Sequence, residues 1–177
     1  RYLVPAYYIL TTAEASSNLS RYDGITYGYS KRKEIKNWEN IIKKTRSSGF
    51  GKEVKRRILL GTFVLSEGYY DNYYSKAQKI RRLVQQKTDE ILNEFDFILL
   101  PTSPTIPFLL NQEHKDPTVL YLQDVFTVQS NLSGHPSLSI PIFNYKQDGP
   151  VGAQLIGKRS MDQTLLQYGD YILKNHV

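Results

Sequence analysis

Two apolar runs joined by a short polar turn place the strongest constraint on the fold. The runs cover residues 137–142 and 150–156, and the turn-like residues 144–149 lie between them. Short apolar runs separated by turn residues predict two paired strands. A third apolar run, residues 95–100, ends at Pro101 as a buried strand does. The second half of the chain is therefore predicted to contribute three strands to a sheet.

The first hundred residues predict helices. Pro5 is well placed for a first helical turn, and a helix is predicted over residues 6–19. Further helices are predicted over residues 52–66 and 70–95, and a closing helix over residues 161–173. Helices followed by strands and flanking helices favour a layered α/β architecture.

Apolar stripes predict which helix faces are buried. In residues 70–95, apolar side chains recur at three-, four- and seven-residue steps, and the opposite face is Lys, Arg, Gln and Asp. This stripe consists of Tyr73, Ala77, Ile80, Val84, Ile91 and Phe95. Another helix is predicted from the spacing of Ile35, Trp38 and Ile42, with Gly49 and Gly51 at its end. These stripes are expected to face a core.

Composition limits the classes of function. The absence of Cys excludes disulfides, thiolate metal sites and a cysteine nucleophile, and it fits a cytosolic location. The chain has no apolar run near the roughly 18 residues that would predict a membrane span. Its 177 residues are enough for one domain. Because structured-looking sequence begins at Arg1, we expect this chain to be part of a longer protein.

Positive charge is concentrated in residues 1–100. They contain 18 Lys and Arg against 11 Asp and Glu, a balance of +7, whereas the whole chain carries +6. A basic half can contact nucleic acid by neutralising phosphates. It can equally consist of solvated helix faces.

A search for catalytic motifs finds no nucleophile paired with a base. The chain has no Gly-x-Ser-x-Gly elbow, phosphate-binding loop or dinucleotide fingerprint. Its histidines, His114, His135 and His176, lack metal-ligand spacing. We therefore expect each histidine to be a loop or surface residue, and no metal site.

Arg57 is the first candidate binding residue. On a helix that begins at Lys52, Arg57 flanks the apolar face, whereas Lys55 and Arg56 point away. A guanidinium in that position needs an anion, and its planar fork fits a carboxylate. Gly61, one turn later, is expected to leave room for a ligand. The alternative is a structural bridge from Arg57 to an Asp or Glu.

Asp124 is the natural counterpart of Arg57. It is an acidic residue among apolar neighbours in the segment Tyr121-Leu-Gln-Asp124-Val-Phe126. Acidic residues are seldom buried without a partner, so its position suggests a binding role. The alternative is an Asp that caps a helix or faces solvent. Nearby, Asp116-Pro117 is predicted to open a short helix.

A series of motifs resembles the A subunits of glutamyl-tRNA(Gln) amidotransferases, within the amidase signature family. The matches run in order over nearly the whole chain. They are Ala13-Glu-Ala-Ser-Ser-Asn-Leu-Ser-Arg-Tyr-Asp-Gly24, Gly49-Phe-Gly-Lys-Glu-Val-Lys-Arg-Arg-Ile58, Gly68-Tyr-Tyr-Asp-Asn-Tyr-Tyr-Ser-Lys-Ala-Gln-Lys79, Pro101-Thr-Ser-Pro-Thr105, Asn131-Leu-Ser-Gly-His-Pro136 and Gly152-Ala-Gln-Leu-Ile-Gly157. The resemblance implies an α/β fold in which a mixed β-sheet has helices on both faces, with this chain as the C-terminal portion of one amidase domain.

The resemblance also implies which residues bind substrate. Arg57 is implied to hold the α-carboxylate of glutamine and Asp124 its α-ammonium group. Tyr7 is implied to line the same pocket, with Tyr8 as the alternative. The family's catalytic residues, a Ser nucleophile, a second Ser and a Lys, lie in motifs that this chain does not contain. No catalytic residue is therefore carried over, and the chain alone is expected to be inactive.

The reaction and partners follow from the same resemblance. Glutamine is hydrolysed to glutamate, and the ammonia passes to the B subunit, where ATP and Mg²⁺ are used to amidate Glu-tRNA(Gln). No cofactor is expected in this chain, the expected partners are the B and C subunits, and the location is expected to be cytoplasmic, or organellar in a eukaryote. Without neighbouring strands the isolated chain is also expected either to self-associate or to have rearranged its exposed sheet edge.

Two other functions remain open at this point. One is a role in another hydrolase of the amidase signature family. Such an enzyme has no need of both an Arg for a carboxylate and an Asp for an ammonium group, so Arg57 and Asp124 count against it. The other is a basic helical module that binds RNA or protein. It would need a continuous positive face with aromatic residues beside it, whereas Trp38 is predicted to face the core.

Overall fold

The computed structural model describes residues 2–26, 28–34, 36–110, 116–145 and 149–176. The described helices are α1 (Leu3–Leu19), α2 (Trp38–Gly49), α3 (Lys52–Leu65), α4 (Lys76–Glu94), α5 (Pro117–Leu122), α6 (Val128–Ser133) and α7 (Asp162–His176). A 3₁₀ turn covers Arg32–Glu34 and a π-helical segment covers Asp71–Ser75. The described strands are β1 (Phe97–Pro101), β2 (Ser137–Tyr145) and β3 (Gly149–Gly157). None of the described helices is long and apolar enough to cross a membrane.

The chain forms two compact units. Tyr8–Gln78 form the helical unit, and Arg1–Tyr7 together with Lys79–Val177 form the sheet unit. The predicted helices and strands are all present within one to six residues of their expected ends. Asp116 caps α5 as predicted, because its side chain accepts a 2.8 Å hydrogen bond from the Thr118 amide.

Helix α2 in the helical unit buries a different face from the one predicted. Asn37 caps it by accepting a hydrogen bond from the Glu39 amide at 2.9 Å, so Trp38 is the first helical residue. Ile41 and Thr45 are buried, whereas the Trp38 prediction is wrong because its side chain is 63% exposed. A side chain in the first turn points beyond the helix end, where little lies above it. Ile35 lies outside the described residues.

Gly61 brings α3 into direct contact with α1. A Cβ atom at Gly61 would lie 2.0 Å from the Thr12 carbonyl oxygen and 2.6 Å from Ser16 Cβ. One residue further, the Thr62 and Ser16 hydroxyls are hydrogen-bonded at 3.0 Å. The expectation that Gly61 leaves room for a ligand is therefore wrong, since α1 fills that space.

The buried face of helix α4 departs from the predicted stripe in its second half. Ala77, Thr88 and Leu92 are each 1% exposed, and Val84 is half-buried. Three predicted stripe residues are instead exposed, namely Tyr73, Ile91 and Phe95. The predicted seven-residue step from Val84 to Ile91 drifts by about 20° around a straight helix, whereas the buried face continues through Thr88 and Leu92. Phe95 lies just after the end of α4. The π-helical segment before α4 also changes the angular position of Tyr73.

The sheet has the order β1-β3-β2, and both strand pairs are antiparallel. Leu155 at the centre of β3 pairs with Leu99 on one side and Leu138 on the other. The core of the sheet unit contains Ile140, Ala153, Leu155 and Leu165, so it joins β2 and β3 to α7. The central strand is thus the most buried one, and β1 and β2 are the outer strands of the described sheet.

Candidate functional site

Arg57 lies on the side of α3 that the sequence predicts. Its side chain is 41% exposed and therefore half-buried, whereas Lys55 and Arg56 are exposed residues. Val64, two turns further along α3, is buried and marks the apolar face. The helix therefore holds the guanidinium at the edge of a packed surface rather than in open solvent.

The Arg57 guanidinium contacts Glu53 and Tyr8 within the helical unit. Its Nε donates to Glu53 Oε1 at 3.0 Å, and its Cζ lies 5.9 Å from the centre of the Tyr8 ring. The structural bridge that the sequence left open is therefore present. A half-exposed pair of this kind contributes only about 0.5 kcal/mol to stability. The bond to Glu53 uses one of the five N–H donors of arginine and orients the guanidinium plane.

Asp124 lies in the turn between α5 and α6 of the sheet unit and is half-buried. Its amide donates to the Tyr121 carbonyl at 3.4 Å, and its carbonyl accepts from the Val128 amide at 2.9 Å. The N-cap residue of α6 is Thr127, three residues after Asp124. The binding role of Asp124 stays a prediction. The backbone of Asp124 is thus tied to both flanking helices.

The predicted substrate-binding residues are distributed over both units. Arg57 and Tyr8 belong to the helical unit, whereas Asp124 and the half-buried Tyr7 belong to the sheet unit. Tyr8 is the tyrosine that contacts Arg57 inside the helical unit. The convergence of Arg57 and Asp124 on one cleft, with charged ends roughly 5–9 Å apart, stays a prediction.

The sequence analysis missed a cavity in the sheet unit. It has a volume of about 780 Å³ and is bounded by the loop from Thr102 to Phe108, Gln123 after α5, the middle of β2 and the first residues of β3. Gln123 is part of its wall and accepts hydrogen bonds from Ser103 at 3.0 Å and from Thr105 at 2.7 Å. The sequence signal for this cavity was the motif Pro101-Thr-Ser-Pro-Thr105, in which hydroxyl residues precede and follow Pro104.

His135 forms a cluster with the half-buried Asp89 and the exposed Arg159. It lies in the loop between α6 and β2, as the expectation of a loop or surface residue allows, but it is only 6% exposed. Its Nε2 lies 3.2 Å from Asp89 Oδ1, and Asp89 Oδ2 accepts a hydrogen bond from Arg159. His114 lies outside the described residues. Within the described part of the chain, no group of three or more His, Cys, Asp or Glu is placed to hold a metal ion.

Burial and pairing shift the pKa values of this cluster. Burial lowers the pKa of His135, an effect that the nearby Asp89 carboxylate opposes and Arg159 reinforces. The hydrogen bond from Arg159 lowers the pKa of Asp89. His135 is therefore neutral near pH 7, with Nε2–H donating to Asp89. Its Nδ1 is buried and meets no hydrogen-bond partner among the described residues.

This cluster predicts a loss of stability in mild acid. An unfolded histidine gains its proton near about pH 6.5, whereas the lowered pKa keeps folded His135 neutral to more acidic pH. The unfolded state then binds more protons, so stability is complete above that pH and falls below it. Urea unfolding of wild type and His135→Gln between about pH 5 and 7 tests this, with a steeper loss expected for wild type. Equal slopes of unfolding free energy against pH for the two proteins would contradict it.

The lowered pKa of Asp89 affects stability only below about pH 4.

Comparison with known proteins places the chain among enzymes that share this arrangement of helices and strands. Residues 1–166 match the amidase family. The chain belongs to the amidase family. The match covers α1 through the first turn of α7, and so includes the helical unit and all three described strands.

The relatives and structural neighbours agree with this assignment. The chain is 48% identical over 98% of its length to the A subunit of glutamyl-tRNA(Gln) amidotransferase from Fusobacterium nucleatum. The crystal structure of the corresponding protein from Thermotoga maritima is 42% identical and has a TM-score of 0.58 over 78% of this chain and 31% of its own. A crystal structure described as an amidase has a TM-score of 0.71 at 21% identity, over 99% of this chain and 36% of its own.

These likenesses confirm the predicted α/β fold and the predicted resemblance. The chain spans 35% of the length of the Fusobacterium nucleatum protein, about a third of the relatives it matches. The activity, substrates and partners of the whole protein are therefore matters for proposal.

Proposed function

We propose that this chain is the glutamine-recognising part of the A subunit of a glutamyl-tRNA(Gln) amidotransferase. The observation that carries the proposal is the 48% identity to the Fusobacterium nucleatum protein, which extends over 98% of the chain. The matched span covers 174 residues and so includes both α3 with Arg57 and the α5–α6 turn with Asp124. The proposed role of the whole protein is to release ammonia from glutamine for the amidation of Glu-tRNA(Gln).

The chemistry of the two charged residues supports glutamine as the ligand. Free glutamine is a zwitterion, and it needs an anion partner for its ammonium group and a cation partner for its carboxylate. In the proposal Arg57, oriented by Glu53, binds the carboxylate through its planar fork, and Asp124 binds the ammonium group. Tyr7 or Tyr8 lines the same pocket, and Tyr8 has the contact to Arg57 that favours it.

Hydrolysis itself is proposed to need residues from outside this chain. Nucleophilic catalysis requires a nucleophile with a positioned base, and the motifs of this chain include no such pair. ATP and Mg²⁺ are proposed to act on a partner of the B type, with a C-type partner completing the complex. The Glu-tRNA(Gln) substrate would then be bound through the whole complex, and a cytoplasmic or organellar location follows from the role in translation. Self-association of the isolated chain also stays a prediction.

The test compares this chain alone with a full-length protein that contains it. For the second protein, this chain replaces the matching third of the Fusobacterium nucleatum protein, which is co-expressed with the partner subunits of that enzyme. We expect the full-length complex to release ammonia from glutamine and to amidate Glu-tRNA(Gln), and the isolated chain to release none. The unmodified Fusobacterium complex is the control. Ammonia release by the isolated chain, abolished by changing one of its own serines, would contradict the proposal, and so would an inactive but assembled complex.

A second candidate, an RNA-contacting surface, is favoured by one observation. Trp38 is exposed on α2 rather than buried, and Lys43 and Lys44 on the same helix are exposed residues. Exposed aromatic rings among basic residues can stack on nucleotide bases. Quenching of Trp38 fluorescence by tRNA added to the purified chain, weakened by salt, would favour this candidate. It would not by itself contradict glutamine recognition, because the two functions use different residues.

A further inference from the structure

Gln123 connects the end of α5 to the loop that follows β1. Its side-chain carbonyl accepts hydrogen bonds from Ser103 Oγ at 3.0 Å and from Thr105 Oγ1 at 2.7 Å. Its side-chain amide donates to the Val119 carbonyl within α5 at 3.3 Å. One glutamine side chain therefore holds three groups from two segments that lie about 20 residues apart in sequence.

The loop that Gln123 holds is itself fixed to the sheet. The Thr102 amide donates to the Gly152 carbonyl at 3.0 Å, and the Thr102 and Ser139 hydroxyls are hydrogen-bonded at 2.7 Å. A Cβ atom at Gly152 would lie 2.8 Å from Thr102 Oγ1, so the absence of a side chain there permits the close approach. The loop thus begins as a continuation of the sheet, and Gln123 links α5 to that rigid part.

Asp124 follows Gln123 directly in the turn between α5 and α6. The backbone bonds described for this turn are local, from the Asp124 amide to Tyr121 and from the Val128 amide to Asp124. Local bonds set the shape of a turn but not its distance from the sheet, and the side chain of Gln123 supplies such a tie. We propose that Gln123 is a positioning residue that fixes Asp124 to bind the amino group of an α-amino acid substrate.

The inference rests on the proposed function, because it assigns a supporting residue to the same substrate site. Gln123 itself does not need to touch the substrate. Replacing it with methionine keeps the length of the side chain and removes all three hydrogen bonds. The hydroxyls of Ser103 and Thr105 lie at an exposed position where water can replace Gln123, so the cost to folding is small. The main effect is a wider range of positions for the α5–α6 turn.

The experiment measures glutamine hydrolysis by the full-length complex described above, with Gln123→Met and a matched control. Gln85→Met is the control because Gln85 donates one hydrogen bond to Ser133 at 3.4 Å and is far in sequence from the α5–α6 turn. For Gln123→Met we expect KM for glutamine to rise about fivefold with kcat within about twofold. For Gln85→Met we expect an unchanged KM. Thr105→Val is expected to raise KM in the same direction, and its effect in the double variant with Gln123→Met to be less than additive.

Asp124→Asn, measured in parallel, distinguishes failure of the Gln123 inference from failure of the proposed function. If Asp124→Asn raises KM and Gln123→Met does not, the inference is wrong and the proposed function stands. If Asp124→Asn leaves KM unchanged, the proposed recognition of glutamine fails and the inference fails with it. If Gln123→Met lowers Tm and kcat at constant KM, Gln123 stabilises the fold without positioning Asp124, and the inference is also wrong. If Gln123→Met does not assemble, Ser103→Ala and Thr105→Val give the same test, because each removes one donor and leaves Gln123 in place.

Discussion

Replacing Gly61 with alanine is expected to lower the free energy of unfolding of the helical unit by about 3 kcal/mol. The new methyl group would lie 2.0 Å from the Thr12 carbonyl oxygen and 2.6 Å from Ser16 Cβ. The first of these is a backbone atom within α1, so it cannot turn away as the end of a side chain can. The two helices would have to separate, and the Ser16–Thr62 hydrogen bond beside the contact would be lost with them.

Urea unfolding followed by the helical circular-dichroism signal measures this effect, since α2, α3 and most of α1 belong to the helical unit. Gly51→Ala is the matched control because, among the described residues beyond its chain neighbours, no atom lies within 4 Å of the position of its Cβ, and its φ of −67° is open to alanine. We expect Gly51→Ala to stay within about 0.5 kcal/mol of wild type, since glycine is only a modest helix cap. An equally small effect of Gly61→Ala would show that α1 and α3 do not pack as described.

The elements of the fold could be predicted from the sequence, but some buried faces could not. The strands were predictable because β2 and β3 are short apolar runs bounded by turn residues, a pattern that depends on local sequence alone. The buried face of α2 was not predictable, because it includes the polar residue Thr45. Its hydroxyl can be buried because it accepts a hydrogen bond from the Lys31 amide at 3.1 Å. An apolar pattern does not include such a residue. Trp38 was assigned to the core on its helical spacing, although its place in the first turn leaves it exposed.

Glycine positions show the same limit. Nothing in the spacing of Gly61 distinguishes a gap left for a ligand from a close approach of another helix. The structure shows that Gly61 permits helix packing, because Thr12 and Ser16 of α1 occupy the space beside it. The interval between Gly61 and these residues is more than 40 positions, beyond the reach of any local pattern.

The charged residues of the candidate site could be predicted from the sequence, but the residues that hold them in position could not. The helical position of Arg57 predicts a half-buried guanidinium, and Glu53, four residues earlier, is where an ion-pair partner is expected. The role of Gln123 depends on Ser103 and Thr105, which lie about 20 residues away in sequence and reach it only in the folded chain. His135 could not be assigned either, because Asp89 and Arg159 come from α4 and from the residues after β3.

Arg57→Met in the full-length complex is expected to raise KM for glutamine about 100-fold, equivalent to about 3 kcal/mol of binding free energy. The methionine side chain keeps most of the apolar contact area but removes the charge and every N–H donor, so the substrate carboxylate loses its partner. Stability is expected to change by only about 0.5 kcal/mol, because the Arg57–Glu53 pair is half-exposed. The large change in KM therefore separates substrate binding from folding. For Arg57→Lys we expect a KM for glutamine between those of wild type and Arg57→Met, since an ammonium group keeps the charge but cannot form the paired hydrogen bonds of a guanidinium.

Arg56→Met is the matched control for this prediction. Arg56 lies on the same helix, is exposed, and has its Nη1 3.8 Å from Glu53 Oε2, so the substitution removes a similar charge beside the same carboxylate. We expect its KM for glutamine to stay within about twofold of wild type. If Arg56→Met and Arg57→Met raise KM equally, the effect comes from the net charge of α3, and Arg57 has no specific role. If neither variant changes KM, the carboxylate of the substrate is bound elsewhere, and Asp124 loses the counterpart on which its own assignment depends.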